Sequence, residues 1–255
     1  MGVCIGIIAQ KGGVGKTTCA VSLAAALAGR KKRVLLVDLD AQAAASYSLG
    51  VDLEDLRPSM ADVLLGGTAA GSLVRETGTP RLSLLTADGR LALADMRLAT
   101  ARNREELLTV ALADVKGGFD FIILDTPPSL GLLSVNAIVA ADAVIAPTVP
   151  HVLALQGVVT LLEILDDLGA RGKLLGILVN IADFRTRLAH EITDALREYF
   201  GRDIFRTEIP RNVRLAEAPA QDTTIQGYAP RSAGAFHYNR LAAEVVRRCK
   251  NRGLL

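Results

Sequence analysis

The stretch VCIGIIAQKGGVGKTT, residues 3–18, decides what kind of fold this chain can adopt. The apolar run over 3–9 has the length and composition of a buried strand, and an alanine-rich helical pattern begins at Thr17. Glycines between the two allow successive backbone N–H groups to converge on phosphate oxygens, and the start of the helix adds partial positive charge. The stretch therefore predicts a nucleoside triphosphate site built on a P-loop.

Each position of this loop has a predicted role. Lys16 neutralises the β- and γ-phosphates, and the Thr17 hydroxyl ligates Mg²⁺. The strict P-loop pattern has glycine at position 10, where this chain has Gln10, and a second lysine, Lys11, lies at the loop mouth. Lys11 either stabilises charge elsewhere or is a solvated lysine beside the phosphates. The predicted nucleotide contacts are Lys11, Gly12, Gly13, Val14, Gly15, Lys16, Thr17 and Thr18.

Length and composition fit one domain over residues 1–255. Half of the residues are hydrophobic and few are aromatic, which suits helices packed on a buried parallel sheet. No apolar stretch approaches the roughly 20 residues needed to cross a bilayer, and the opening run lacks a basic leader. Three scattered cysteines, Cys4, Cys19 and Cys249, indicate buried thiols in a reducing compartment. We expect a cytoplasmic protein without stable membrane association.

Strand and helix patterns alternate along the rest of the chain. Further strands are predicted at Val34–Leu39, Leu82–Leu85, Phe119–Leu124, Ala143–Pro147, Leu174–Asn180 and Ile204–Ile209. Helices are predicted at Thr17–Ala28, Glu105–Val115, Gly131–Ala140, Leu153–Leu168, Leu188–Tyr199 and Ala235–Lys250. Residues 58–80, with their glycines and proline, are predicted to form a loop-rich excursion. The alternation predicts an α/β fold with a doubly wound, mainly parallel sheet and helices on both faces.

Carboxylates lie at the ends of two predicted strands. Asp38 and Asp40 end the run VLLVDLD, and Asp125 ends FIILD in a Walker B pattern. In open α/β sheets the carboxyl ends of the strands face the ligand crevice. A single carboxylate at a strand end is also a common helix cap or turn former, so the prediction depends on all three lying beside a P-loop. With Thr17, Asp38 and Asp125 are the predicted magnesium residues, and Asp125 acts through a water.

Three motifs together resemble the ParA/MinD family of ATPases. KGGVGKTT at 11–18 resembles its deviant P-loop, and DTPPSLG at 125–131, followed by Asn136, resembles its second switch. IPRNVRLAEAP at 209–219, followed by Tyr228, is similar to its C-terminal signature. The resemblance covers nearly the whole chain. It is closest to the small chromosomal ParA (Soj) subgroup, since no helix-turn-helix domain precedes the loop.

The resemblance implies an ATPase with ATP and Mg²⁺ as cofactors and with Lys11, Lys16 and Asp40 as catalytic residues. It implies an ATP-dependent homodimer in which Lys11 reaches the partner's nucleotide, and a role for Asp40 in orienting or activating the attacking water. Pro210 and Asn212 would line the adenine pocket. Asn180 would either touch the base or be a satisfied amide at a strand end. A ParB-like adaptor protein would accelerate hydrolysis.

The distribution of charge bears on the partner. Net charge is only +2, but residues 181–255 hold 13 Lys and Arg against 9 Asp and Glu. Arginine favours bidentate phosphate contacts. Arg185 and Arg214 match positions where the Soj subgroup carries DNA-binding arginines, which implies non-specific double-stranded DNA as a partner and a nucleoid-associated protein. Further candidates for that face, each also compatible with a solvated surface side chain, are Arg187, Arg206, Arg211, Arg247, Arg248, Lys250 and Arg252.

The first switch departs from the family pattern. Family members usually read DPQGN where residues 40–44 read DAQAA. Loss of the proline and glycine removes two backbone constraints, and alanines favour continuing a helix. We expect hydrolysis to persist because Asp40 remains, with the switch geometry and the rate as the properties that the alanines affect.

Two other functions stay open on the sequence. A ParA-like positioning ATPase with a cargo other than DNA would use the same chemistry and a different adaptor. A MinD-like membrane-associated ATPase would end in an amphipathic anchor, whereas the tail RRCKNRGLL at 247–255 is basic and has no aromatic residue. An iron–sulfur electron carrier of similar P-loop type would need paired cysteines, and the sequence does not place them suitably.

Overall fold

A seven-stranded sheet lies at the centre of the computed structural model, which describes residues 2–255 apart from the side chains of residues 95 and 152–154. In chain order the strands are β1 Val3–Ile7, β2 Val34–Asp38, β3 Arg75–Glu76, β4 Leu82–Leu85, β5 Phe121–Asp125, β6 Ala143–Thr148 and β7 Leu174–Val179. Their order across the sheet is β3-β4-β2-β5-β1-β6-β7. All pairs are parallel except β3 with β4 at one edge, so the predicted mainly parallel sheet is confirmed.

Helices connect the strands. Within the described chain they are α1 Lys16–Gly29, α2 Ala44–Ser48, α3 Met60–Gly66, α4 Ala94–Leu98, α5 Leu107–Ala111, α6 Leu132–Ala140, α7 Val152–Asp167, α8 Arg187–Phe200, α9 Val213–Glu217, α10 Ile225–Tyr228 and α11 Ala233–Asn251. Among the residues described, none of these helices combines the length and the apolarity that a bilayer span requires.

The strands are buried on both faces, and their alternate residues belong to two separate cores. Phe121 and Ile123 of β5 pack in the core that includes α1 and α11, whereas Ile122 and Leu124 pack in the core that includes α6 and α7. Successive side chains of a strand point to opposite faces, so a strand covered on both sides must be continuously apolar. That requirement explains the unbroken apolar runs in the sequence.

The pairing of β5 with its two neighbours brings the ends of three strands side by side. β5 lies between β1 and β2, and Asp125 pairs with Ile7 of β1 on one side and with Asp38 of β2 on the other. The loop that leaves β1 therefore begins beside both carboxylates. Neighbouring parallel strands lie about 5 Å apart, so residues far apart in sequence become neighbours at this edge.

The segment 58–80 differs from the prediction, because it contains α3, a 3₁₀ turn and β3. Ser59 and Asp62 form a capping box at the start of α3. The Ala61 N–H donates to the Ser59 hydroxyl, and the Ser59 N–H donates to the Asp62 carboxylate. This local start signal outweighs the glycines that follow it.

Two further predicted elements differ from the structure: one helix is shorter, and one predicted strand does not form in the described residues. The helix predicted at Glu105–Val115 is reduced to α5, because Asn136 replaces its first hydrogen bond. The Leu108 N–H donates to Asn136 Oδ1, and Asn136 Nδ2 donates to the Arg104 carbonyl. Residues 204–209 form no strand in the described chain. They contact β7 through single backbone bonds near each end, from Phe205 to Ile177 and from Ile209 to Val179.

Candidate functional site

The loop between β1 and α1 has the shape of a phosphate cradle. Gly13 and Gly15 have φ of 77° and 80°, in the left-handed region where only glycine is unstrained. Gly15 directly precedes α1, whose first N–H groups have no partner within the helix. The N–H groups of Gly12 and Gly13 likewise donate to nothing within the described residues. These donors are what an anion at a helix start would bind.

Asn180, directly after β7, is hydrogen-bonded to the backbone of the glycine loop. Its Nδ2 donates to the Val14 carbonyl at 2.8 Å, and a Cβ on Gly15 would come within 2.6 Å of the same nitrogen. The geometry therefore matches the satisfied strand-end amide, one of the two roles open for Asn180. Its contact with a base stays a prediction.

The two lysines of the loop differ in environment. The Lys16 side chain is buried, and its Nζ makes only a long 3.4 Å hydrogen bond to the Lys11 carbonyl. Burial lowers the pKa of Lys16, while the charges of Asp125 and Asp40 raise it. The Lys11 side chain is exposed at the loop mouth and has no hydrogen bond or ion pair within the described part of the chain. Lys16 is thus buried against its own loop, whereas the Lys11 side chain is accessible from solvent.

Asp38 is fully buried and hydrogen-bonded on both oxygens. Ser46 donates to Oδ2 through its N–H at 2.9 Å and its hydroxyl at 2.8 Å, and the Asp40 N–H donates to Oδ1 at 3.1 Å. Burial nevertheless raises the pKa of Asp38 to about 6, against the lowering effect of these bonds. The Ser46 hydroxyl also accepts from the Ala87 N–H at 3.2 Å, which ties the end of β2 to the segment after β4.

Asp125 is equally buried, but neither of its oxygens has a hydrogen bond of good geometry among the described residues. Burial, and next the charge of Asp38, raise its pKa well above the ordinary value, while the nearby Thr17 hydroxyl lowers it. A buried carboxylate without partners is costly unless a cation pairs with it. The pair Asp38 and Asp125, with Thr17, therefore offers the hard oxygen ligands that Mg²⁺ prefers.

A cation at this position would need ligands besides carboxylates. No group of three or more His, Cys, Asp or Glu side chains suited to a metal occurs in the described residues. Mg²⁺ usually keeps several waters and shares the oxygens of a phosphate. The two carboxylates and the Thr17 hydroxyl fit that mode. Bound there with a triphosphate, Mg²⁺ would supply positive charge that stabilises the phosphates.

The segment after Asp38 turns sharply before α2. Asp40 Oδ1 accepts from the Gln42 N–H at 2.9 Å, and Ala43 has φ 52° and ψ 30°. The expectation that the alanines continue a helix is wrong, because α2 begins only at Ala44. The left-handed conformation at Ala43 is the one that glycine favours, so the backbone keeps a glycine-type turn without a glycine.

A cavity of about 310 Å³ adjoins the P-loop at the sheet edge. Pro210, Asn212 and Asn180 line it together with Thr18, so the structure brings these predicted nucleotide contacts together. The Asn212 side chain accepts from the Arg214 N–H and caps α9. The cavity lies at the site where the resemblance implies an adenine pocket.

Both predicted DNA-contacting arginines are exposed and paired with acids. Arg185 donates to both oxygens of Asp183, and Arg214 donates to Glu217 at 2.8 Å and to the Tyr228 hydroxyl at 3.3 Å. Exposed pairs of this kind contribute only about 0–1 kcal/mol. A phosphate can therefore compete with the acid for either arginine.

The terminal basic cluster consists of Arg247, Arg248, Lys250 and Arg252. Two of these side chains have structural contacts. The Arg248 side chain is largely buried, stacks on Phe205 with its Cζ 4.2 Å from the ring centroid, and donates to the Leu175 and Ile204 carbonyls and to Glu244. Arg252 donates to the carbonyls of residues 172 and 174. These two side chains join α11 to β7, which removes them as candidates for extending the DNA-binding face.

Sequence reasoning missed Ser46 and Glu244. Ser46 bonds a predicted metal residue, and Glu244 accepts from the N–H groups of Arg206 and Thr207. Neither lies in a recognisable motif. A polar residue on the apolar side of a helical pattern, as Glu244 is in α11, was the one available signal.

A mainly parallel sheet, a glycine cradle after the inner strand β1 and two buried carboxylates on the neighbouring strands define a P-loop nucleoside triphosphatase. Residues 2–174 match the family model of the AAA domain. The chain is 41% identical over 250 residues to the sporulation initiation inhibitor protein Soj of Bacillus subtilis, covering 96% of this chain and 99% of Soj. It is 46% identical over 248 residues to the chromosome-partitioning ATPase Soj of Thermus thermophilus, covering 96% and 95%. The chain belongs to the ParA/Soj family of ATPases.

Two solved structures have a fold similar to that of this chain. Cobyrinic acid a,c-diamide synthase from Mycobacterium smegmatis, bound to ADP and magnesium, superposes with a TM-score of 0.86 at 34% identity, covering 99% of this chain and 97% of the synthase. The cell division ATPase MinD of Pyrococcus furiosus gives 0.82 at 26%, covering 97% and 99%. The predicted fold, the ATPase class and the cofactors ATP and Mg²⁺ are confirmed.

Proposed function

We propose that this chain is a ParA-type partition ATPase with a single ATPase domain over residues 1–255. ATP joins two copies into a sandwich dimer, the dimer binds double-stranded DNA non-specifically, and hydrolysis stimulated by a ParB-like adaptor releases it. The cargo would be a chromosome or plasmid, and the protein would work in the cytoplasm on the nucleoid. Two relatives named for chromosome partitioning support the proposal.

The observation that carries the proposal is the contrast between the two P-loop lysines. Lys16 is buried against its own loop, so that site has its phosphate lysine. Lys11 is exposed and unpaired among the described residues, so its charge is available to a second molecule. A cation supplied in trans makes dimerisation depend on the nucleotide, as an arginine finger does.

In this proposal Asp40 is the residue that acts on the attacking water. Asp40 stands between Asp38 and the turn at Gln42, partly exposed, where it can orient a water. Thr17, Asp38 and Asp125 would hold the magnesium, and Lys16 would hold the phosphates. Asp40→Ala should stop turnover while ATP binding persists. A turnover rate equal to that of the wild type would remove Asp40 from catalysis.

The dimer is tested by sedimentation of the wild type, Lys11→Ala and Lys16→Ala with ATP and Mg²⁺. We expect the wild type to form a dimer and Lys11→Ala to stay a monomer that still binds ATP. Lys16→Ala should neither dimerise nor bind ATP. A Lys11→Ala protein that dimerises normally would refute the trans role.

DNA binding is tested by fluorescence anisotropy with a random-sequence duplex. Binding should need ATP, weaken steeply with salt, and drop in Arg185→Ala and Arg214→Ala. Arg104→Ala is a matched control, because Arg104 is similarly exposed and paired with Glu105 but lies in the segment before α5. Binding without nucleotide would refute the switch. ATP-dependent dimers that bind no DNA would instead favour the positioning ATPase with another cargo.

A further inference from the structure

A second large groove lies at the end of α1 away from the P-loop. Its volume is about 750 Å³, and it is lined by the C-terminal end of α1, the turn before β4 and the α10 segment. α1 has 14 residues, so at about 1.5 Å per residue the groove lies roughly 20 Å from the phosphate cradle. It is therefore separate from the nucleotide site.

The groove is positively charged. Of its 16 lining residues, Arg30, Lys31 and Arg81 are basic and none is acidic. All three are exposed, and none of their side chains makes a hydrogen bond or ion pair within the described part of the chain. Arg33, from the same basic run, differs because it pairs with Asp120 and lies outside the groove lining. The three unpaired cations are free to meet phosphates.

Two of these cations stand where the backbone favours glycine. Lys31 has φ 64° at the end of α1, where its N–H donates to the Ala28 carbonyl and the next N–H donates to the Leu27 carbonyl, the bonds of a Schellman motif. Arg81 has φ 68° at the third position of the turn Thr79–Leu82. Strained conformations of this kind collect at functional sites. Basic side chains at two glycine-type positions therefore point to a role outside folding.

The groove adjoins the arginine proposed above for DNA contact. Arg214 hydrogen-bonds the Tyr228 hydroxyl at the end of α10, and the preceding residue of that helix, Gly227, lines the groove. A path of one short helix thus connects Arg214 with Lys31 and Arg81. The lining also holds buried Thr224, whose hydroxyl accepts from the Gly227 N–H, and Gln226, whose Nε2 donates to the Ser22 carbonyl. The three exposed cations are therefore the groups that face an anion from solvent, which suits a phosphate backbone.

We propose that this groove, defined by Arg30, Lys31 and Arg81, binds the phosphate backbone of duplex DNA and continues the footprint that begins at Arg214. The inference rests on the proposed function, since it concerns the same DNA. It makes the footprint of each protomer extend from the nucleotide edge of the sheet towards the opposite edge. Binding then depends on cations that lie outside the arginine-rich last third of the sequence.

The test uses the double variant Lys31→Gly and Arg81→Gly, because glycine suits both backbone conformations and should leave the melting temperature unchanged or higher. With ATP, duplex affinity should fall at least tenfold at about 0.1 M salt, and the slope of log affinity against log salt should become shallower by about 2–4 for the dimer. ATP-dependent dimerisation should stay unchanged. Arg33→Ala, which removes a paired cation of the same run, should bind like the wild type.

The outcomes separate the two proposals. A double variant that binds DNA as the wild type does, while Arg214→Ala loses binding, overturns the groove and leaves the proposed function standing. A double variant that fails to dimerise, or an Arg33→Ala variant that loses as much affinity, also overturns it. A wild-type dimer that binds no duplex at all overturns both.

Discussion

Replacing Ser46 by alanine tests how the fold holds Asp38. The hydroxyl donates to Asp38 Oδ2 at 2.8 Å and accepts from the Ala87 N–H at 3.2 Å, and Ser46 and Asp38 are both fully buried. A hydrogen bond to a charged group contributes about 1.5–3 kcal/mol, and an unpaired buried N–H costs about 1–3 kcal/mol. The two terms share one hydroxyl, so we expect Ser46→Ala to lower the free energy of unfolding by about 3 kcal/mol. For a chain of this size that corresponds to a melting temperature lower by about 6–12 °C.

The same substitution should weaken magnesium binding in a pH-dependent way. The Ser46 bonds lower the pKa of Asp38, which burial has raised to about 6, so loss of the hydroxyl moves this pKa further up. A protonated Asp38 must lose its proton before it can serve a cation. The loss of Mg²⁺ affinity relative to the wild type should therefore be larger near pH 6 than near pH 8.

Ser48→Ala is the matched control. Ser48 is also buried and lies two residues after Ser46 in the same helix, but its hydroxyl donates only to the Ala44 carbonyl within α2. Such back-bonding adds little, so we expect a change within about 0.5 kcal/mol. The assays are urea unfolding without metal and Mg²⁺ titration of nucleotide binding across pH. Equal destabilisation by the two substitutions, or a Ser46→Ala affinity loss independent of pH, would refute the reasoning.

Three more outcomes follow from the same contacts. Arg248→Ala should lower the free energy of unfolding by about 2–4 kcal/mol, because three carbonyls lose a donor and the buried Glu244 loses its charged partner. Exposed Arg247→Ala should change it by less than about 0.5 kcal/mol. Urea unfolding measures both, and equal effects would contradict the division of the terminal cluster. Ala43→Gly should lower the free energy of unfolding by less than about 1 kcal/mol, because relief of the left-handed backbone offsets the loss of a buried methyl group. Ala45→Gly, inside α2, should lower it by about 2 kcal/mol. Thermal melts compare the two, and a larger loss of stability at Ala43 would refute the strain. Without metal, burial raises the pKa of Asp38 from its ordinary 3.8 to about 6, so the folded state binds this proton more tightly than the unfolded state and stability should decrease as pH rises from about 4 to about 6. Asp125 lies beside it with a pKa that is also raised, so the decrease over this range should become smaller in Asp38→Asn without vanishing. Parallel pH profiles of the two proteins would show that Asp38 is not a group responsible.

The nucleotide edge could be predicted from the sequence because its signals are local. Each of β1, β2 and β5 is read from an apolar run; Asp38 and Asp125 end β2 and β5, and the glycine loop follows β1. Parallel register then brings Asp38 and Asp125 together without further information. The glycine cradle likewise needs only its own residues and the helix that follows.

The parts that escaped prediction depend on contacts between distant segments. Asn136 interrupts a predicted helix because its amide takes both ends of the bond between Arg104 and Leu108. Arg248 has the composition of a surface residue, yet it reaches carbonyls more than 40 residues away. Nothing in the neighbouring sequence encodes either partner. Only the packed fold determines them.

The first switch shows how such contacts can preserve a shape while the local sequence changes. Residues 41–44 lack the proline and glycine of the family pattern, but both ends of the turn are tied to the Asp38 carboxylate, at Asp40 on one side and Ser46 on the other. Those bonds, together with the bonds that Asp40 accepts from the Gln42 and Ala43 N–H groups, hold the turn in which Ala43 is left-handed. A cation that draws on Asp38 must compete with the same bonds. The turn therefore couples metal binding to the position of Asp40, and through the Ser46 hydroxyl to the segment after β4.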